Sequence, residues 1–403
     1  MRHHSKERMT IEPVLNDAHK NQFLEYPLKL YKDHQYWIRP LDKDISNVFD
    51  VQKNPIAKED NFMRWLLFDT DRKIIGRIAA FINPKTKNKH NDYPVAGIGF
   101  FECINDQLAA NLLFDTAKEW LKTHKIEAME GPINFGNRDK WWGLLVAGFD
   151  KEPNYLANYN FPYYQDLFEN YGFKCYFNQF SFSRVIKDSV TPEYEKNAAR
   201  VFNNPDFSFQ HIQIKNLPKY TEEFRVVYNK AWVGHMGVSE MNPSQAKSII
   251  DSLKPVFDKH TSWFAYYKGK PIAFFIAVPE VNQVFKKVNG KLNLLGKYHF
   301  IKSKLFKTNK KLMGIIFGVI PEFDGQGVTQ AISLKAKKQI ETKTNYQTFE
   351  FQGIGDFNPA MLKFVAKLGV RDKSKIHTTY RYLFNQNQTF KRMPIKSKFV
   401  QND

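Results

Sequence analysis

Two apolar runs, Arg64–Asp69 and Ile74–Ile82, flank the polar turn Thr70–Lys73, a pattern that predicts a β-hairpin. Ahead of it, Tyr36–Arg39 reads as a short strand, and behind it Val95–Cys103 reads as a glycine-containing apolar strand. Leu108, Leu112, Leu113, Ala117, Trp120 and Leu121 then recur at helical spacing, with Asn105 as the expected cap. Ala128–Pro132 closes a strand, a helix ends near Gly172, and Cys175–Val185 alternates as a last strand. The same order then starts again. A helix over 220–232 precedes a hairpin made of Trp263–Tyr267 and Pro271–Val278, followed by a strand at Gly314–Ile320 and a helix over 328–342. Phe349–Gly355 is the next strand. A helix opens at Asn358 and ends at Gly369, with Met361, Phe364, Val365 and Leu368 on its apolar face, and Tyr380–Phe384 is expected to close the second sheet. The repeat is one of order rather than residue identity. It predicts an α/β (α+β) chain of two tandem domains, 1–185 and 186–403, joined near 186–210, each a mixed, mostly antiparallel twisted sheet flanked by helices.

The two central strands end differently. Gly314–Ile320 runs through Pro321 into Glu322–Val328, where Gly325 and Gly327 make a turn that opens a helix at once. Such a turn presents free backbone N–H groups at the positive end of a helix dipole and suits a phosphate or diphosphate. A plain surface hairpin before an ordinary helix has the same pattern. The corresponding turn in the first half, Ile104–Gln107, has no glycine and carries an acid. The second half is therefore the expected cofactor-binding half, and the first is expected to be degenerate and to shape an acceptor site.

From Gly314 to Phe384 the order strand, glycine turn, helix, strand, Asn-initiated helix, strand resembles the acyl-CoA-binding half of the GNAT family of N-acyltransferases. The resemblance implies tandem GNAT-like domains and an acetyl-CoA or longer acyl-CoA co-substrate. It implies a diphosphate site at Gly325, Gln326, Gly327, Val328 and Thr329, a thioester beside Phe317, Gly318 and Val319, and a pantetheine arm beside the helix opened by Asn358. The family pattern at the turn is Arg/Gln-x-x-Gly-x-Gly/Ala; here Asp324 and Thr329 depart from it. Where the family often carries a thiolate-protonating Tyr, seven residues past the Asn, this chain has Val365. Tyr380 and Tyr382 are the substitutes on the closing strand, with Tyr380 the candidate acid. Glu350, on the strand beside the implied thioester, and His235, where acceptor sites commonly sit, are the candidate catalytic groups; an isolated His is also a common structural hydrogen-bonding residue.

Composition narrows the partners. The 403-residue chain carries a formal net charge of +19 and only two cysteines, Cys103 and Cys175. No disulfide framework and no Cys-x-x-Cys spacing exists, so no metal is expected and a reducing compartment fits. No signal core and no run of about 18 apolar residues occurs, which reads as cytoplasmic, or peripheral at the inner face of a membrane. The positive charge favours anionic partners: CoA, an anionic membrane surface or nucleic acid.

Two segments stand out. Residues 131–164 mix Asn134, Asn137, Arg138 and Asp139 with Trp141 and Trp142, and read either as an acceptor-substrate pocket or as an aromatic plug between domains. Residues 281–311, a basic insertion, hold nine lysines and no acid, interleaved with Leu, Ile, Tyr and Phe. They suit an anionic bilayer, read also as an ordinary solvated extension, and allow contact with RNA as a third case.

The reading that joins these features is an N-acyltransferase moving an acyl group from acyl-CoA to an amine, lipid-like or membrane-proximal. Some bacterial ceramide synthases resemble GNAT proteins, so a sphingoid amine is one special case. Two alternatives remain open. The tandem order is also similar to the Fem-type aminoacyltransferases, which would make tRNA the nucleic-acid partner. Asp324 and Val365 also suit a non-catalytic pair that binds a ligand or a membrane.

Overall fold

The computed structural model describes residues 9–88, 91–136, 138–232 and 240–395. In the first part of the chain it has β1 (Thr10–Pro13), α1 (Asp17–Leu30), α2 (Asp42–Val48), β2 (Phe62–Phe68), β3 (Ile74–Phe81), β4 (Val95–Cys103), α3 (Gln107–Thr123), β5 (Ala128–Gly131), β6 (Leu144–Ala147), α4 (Tyr164–Tyr171) and β7 (Lys174–Val185). The second part has α5 (Pro192–Phe202), β8 (Phe207–His211), α6 (Leu217–Trp232), α7 (Pro243–Leu253), β9 (Trp263–Tyr267), β10 (Lys270–Pro279), α8 (Asn282–Phe285), α9 (Leu294–Leu305), β11 (Lys311–Val319), α10 (Val328–Lys343), β12 (Thr348–Gly355), α11 (Pro359–Lys367) and β13 (Lys373–Leu383).

The thirteen strands among the described residues form one sheet, in the order β1-β2-β3-β4-β5-β13-β7-β12-β11-β10-β9-β8, with β6 beside β13. Among the described residues, only β4/β5 and β11/β12 are parallel; every other pair is antiparallel. Read outward from the middle, each half has the same order, but the last strands are exchanged. β7 follows β5 in sequence yet pairs with β12, and β13 follows β12 yet pairs with β5. The expectation that Tyr380–Phe384 closes the second sheet is therefore corrected: β13 completes the first half and β7 the second. The side chains agree. Phe180 and Phe182 of β7 pack with Val365 and Leu368 at α11, whereas Tyr380 packs with Phe168 of α4.

Three further expectations change. Tyr36–Arg39 forms no strand, because Arg39 is held instead by Asp42 (2.9 Å) and by the Asn289 carbonyl (3.1 Å). The cap of α3 is Asp106 rather than Asn105, its carboxylate accepting from the N–H groups of Leu108 and Ala109 at 2.8 and 3.0 Å. The stretch taken as the joint, 186–210, contains α5, started by Thr191 and Pro192, and most of β8.

Helices cover both faces. In the first half, Ala109, Leu113, Phe114 and Leu121 of α3 pack with Leu167 and Phe168 of α4 on one face, while Phe23 of α1 and Ile45 of α2 pack on the other. In the second half, Phe224 and Val227 of α6 and Ala331, Ile332 and Ile340 of α10 belong to a single large core.

Candidate functional site

β11 and β12 pair only from Lys311/Thr348 to Gly314/Phe351. Beyond that point β11 follows β10 as far as Val319, while β12 follows β7 to Gly355, so a wedge opens between them. Ile320 donates its N–H to Ile272 on the β10 side at 2.9 Å. Strand alternation therefore turns the N–H groups of Phe317 and Val319 to the other edge, into the wedge. The Phe317 ring stacks on Phe364 of α11 at 5.7 Å, and Phe351 meets the same ring edge-on at 6.1 Å, so the wedge is apolar at its floor. Behind Phe351 and Phe364 lies an apolar cleft of about 540 Å³, bounded by Val190, Tyr194, Leu334 and Phe349.

The wedge leads to the start of α10. Asp324, Gly325 and Gln326 are exposed, and Gly327 is the N-cap, at φ 94°, with no side chain capping the helix. Its left-handed backbone and the Asn197 carbonyl, 2.3 Å from where a Cβ would sit, both require glycine. No side chain takes up the first-turn amides of α10. Val328 is buried in the core and Thr329 partly covered. Gly318 and Val319 pair with Phe274 and Ala273 of β10. Asn358 uses its side chain within its own helix, accepting from the Met361 N–H at 3.3 Å.

The first half has the same wedge between β4 and β5, but it is filled. Ile133 donates to the Ile98 carbonyl at 2.8 Å, and its own carbonyl lies 1.9 Å from where a Gly99 Cβ would sit. The helix at its end, α3, is already capped by the Asp106 carboxylate. That carboxylate occupies the position an anionic ligand would need.

Glu350 points to the opposite sheet face from Phe349 and Phe351. There it is buried and paired with Lys375 (2.8 Å) and Lys311, and accepts from Asn154 at 2.8 Å. Burial pushes its carboxyl upward, but Lys375 and Lys311 outweigh this and hold it at about 2. Asn154 also donates to Gln352 (2.6 Å) and accepts from Lys311 (2.6 Å). Nearby, buried Glu280 accepts from the N–H groups of Tyr155 (2.7 Å) and Asn282 (3.1 Å). Burial raises its carboxyl, with the Lys311 charge acting against the rise. His377 on β13 lies on the same face; burial lowers it to about 4, so it is neutral, and its Nε2–H donates to the Asn158 carbonyl at 3.0 Å. This network joins the 151–158 loop of the first half to β11, β12 and β13. Its signal in the sequence was faint, since Lys311, Lys375, Asn154 and Glu280 sit in no motif.

The other candidates are dispersed. Tyr380 is two strands away from β12, buried, donating to Glu169 at 2.7 Å. His235 and Asn137 lie outside the described residues. Trp141 and Asn134 are buried beside β4. Trp142 packs near Phe177 and Phe357, with the exposed Arg138 guanidinium 5.4, 5.1 and 5.8 Å from these three rings. The 131–164 segment thus covers the middle strands with its aromatics, and it borders an open cleft of about 710 Å³ in the first half. Trp37, Arg39, Asp42, Arg77, Glu102 and Asn158 line that cleft. Glu102 accepts from the hydroxyls of Tyr31 and Tyr164, each at 2.7 Å. Among the described residues, no group of three or more His, Cys, Asp or Glu could hold a metal ion.

A single sheet with two splayed parallel pairs, the strands of each joined through a helix, defines the class: the chain has the fold of tandem GNAT proteins. It superposes on the tandem GNAT protein of the clavulanic acid biosynthesis pathway with a TM-score of 0.52, covering 94% of this chain and 100% of that one at 9% identity. The GCN5-related glucosamine N-acetyltransferase region of a fungal multi-domain GH3 β-N-acetylglucosaminidase gives a TM-score of 0.54 at 12% identity. That match covers 93% of this chain but 38% of the longer fungal one. In sequence, the chain is 23% identical over 364 residues to the bacterial ceramide synthase of Caulobacter vibrioides, covering 90% of this chain and 94% of the relative. No family model matches the chain.

Proposed function

We propose that the protein is an N-acyltransferase whose second half holds an acyl-CoA and passes the acyl group to an amine bearing a long apolar chain. One observation carries this reading: of two equivalent helix starts, α3 is capped by its own Asp106 carboxylate and α10, behind Gly325 and Gly327, has no side-chain cap. The open amides of α10 would take the diphosphate, and the wedge edge of Phe317 and Val319 would face the thioester. When bound, the cofactor supplies an activated acyl group.

The chain's own residues then have three tasks. The Phe317 and Val319 N–H groups are placed to stabilise negative charge growing on the acyl oxygen. The apolar floor made by Phe317, Phe351 and Phe364 disfavours an ammonium ion, so an amine entering there gives up its proton more readily. The C–N bond would form as the C–S bond breaks, and the leaving thiolate would take up the proton that the nitrogen loses. Glu350, held at about 2, is too weak a base for the amine; on this reading it fastens the two halves together. The apolar lining of the cleft behind Phe364 suits an alkyl chain of the donor, and the ceramide synthase relative supports a long-chain amine as acceptor.

The test is release of free CoA thiol from acyl-CoA in the presence of long-chain amines, with Gln330→Glu beside the unaltered chain. A carboxylate in the first turn favours the helix but repels a diphosphate. The variant should melt no lower and turn over at least roughly tenfold more slowly at low donor concentration. Equal rates, or no turnover with any amine, would remove the reading.

A further inference from the structure

The insertion between β10 and β11 is anchored at one end and exposed at the other. Val281, Val284, Phe285 and Val288 pack against Leu41 of the first half. Asp42 donates its N–H to the Gly290 carbonyl at 2.9 Å, and Lys286 pairs with Glu152 at 3.1 Å. From this root projects α9, capped by Asn293, whose side chain accepts from the Gly296 N–H at 3.0 Å.

The helix is oriented the reverse of a soluble amphipathic one. Its inward side is Gly296, buried against Val288, and Phe300, which stacks on Phe285 at 6.4 Å. Leu294, Tyr298, Ile301 and Leu305 recur at intervals of four, three and four, and so share one face. That face is turned to solvent: Leu294 is 85% exposed, Leu305 73% and the following Phe306 69%. By helical position, Lys297 and Lys304 border the stripe on one side and Lys302 on the other. All three are exposed, and the whole insertion contains no acid.

We propose that α9 is a docking helix that lies on an anionic lipid bilayer. The stripe of Leu294, Tyr298, Ile301 and Leu305 enters the boundary between headgroups and acyl chains, and Lys297, Lys302 and Lys304 reach the phosphates alongside. The sign and placement of the charges select this occupant: cations on both flanks, with no carboxylate to repel the headgroups. The root of the insertion rests on Arg39 and Asp42, which also form part of the rim of the first-half cleft. Docking therefore brings that cleft to the membrane surface, whatever the chain's chemistry.

The experiment is flotation of the full chain with vesicles of equimolar phosphatidylcholine and phosphatidylglycerol, and with phosphatidylcholine alone. The chain should float with the anionic vesicles, far less with neutral ones, and less at high salt. Leu294→Gln combined with Leu305→Gln should lower the bound fraction by roughly tenfold or more, and Lys297→Gln with Lys302→Gln and Lys304→Gln should do the same. Both variants should keep the melting temperature of the parent, because these side chains are exposed. A chain that stays unbound to anionic vesicles, flotation unchanged in the leucine variant, or a concentration-dependent dimer abolished by that variant would each overturn the proposal. The last outcome would make the stripe a contact between copies.

Discussion

Glu350, Lys375 and His377 are buried ionisable groups, and the half-buried Lys311 pairs with Glu350 beside them. Removing one partner of such a network leaves an uncompensated charge, so Lys375→Met should cost about 3–5 kcal/mol in denaturant unfolding. Adding Glu350→Gln should recover much of that loss, an outcome that a simple packing defect would not give. The pH dependence follows in sign. The contribution of His377 is complete above its unfolded value of about 6.5 and is lost as pH falls toward about 4, which corresponds to about 3 kcal/mol. That of Glu350 is present above about 4.5 and is lost as pH falls toward about 2. The urea midpoint should therefore fall steadily from pH 7 to pH 4 and continue to fall below it. Little of this was legible in the sequence. Glu350 was visible as an acid on a strand, but its partners come from β11, β13 and the 151–158 loop, and no local pattern links them.

Among the elements, the starts of α3 and α10 differ in their capping, and that difference was legible because caps are local chemistry: an acid without glycine in one turn, two glycines in the other. The cap itself was misplaced by one residue, since Asn105 and Asp106 are both good capping types. Tyr36–Arg39 misled for a different reason. An apolar run before Pro40 is extended by steric necessity, and extension alone does not provide a pairing partner. Gly327 and Gly325 separate two roles. Gly327→Ala meets both a left-handed backbone and the Asn197 carbonyl, and should lower stability by about 2–3 kcal/mol. Gly325→Ala, at φ 76° with open space around it, should cost only about 1 kcal/mol. Thermal melts of the two variants check the order.

For the whole molecule, the repeated order of elements was readable from hydrophobic periodicity, and it fixed the two-part architecture. The exchange of β7 and β13 was not readable, because both are alternating strands at the end of a half, and periodicity carries no information about which edge a strand joins. Exchange makes each half incomplete alone: the second sheet needs Phe180 and Phe182, and the first needs Tyr380. Unfolding should therefore be a single transition by near- and far-ultraviolet circular dichroism, and residues 1–186 expressed alone should show no cooperative melt. Two separated transitions would mean that the halves fold independently.

In the proposed function the uncapped start of α10 takes a diphosphate, whereas the start of α3 is capped by Asp106. Calorimetric titration of CoA into the full-length chain tests this most directly. The proposed function predicts one molecule bound per chain, with affinity weakened at least roughly tenfold by Gln330→Glu and unchanged by Asp106→Asn. Two molecules per chain, no heat, or binding indifferent to Gln330→Glu would contradict it.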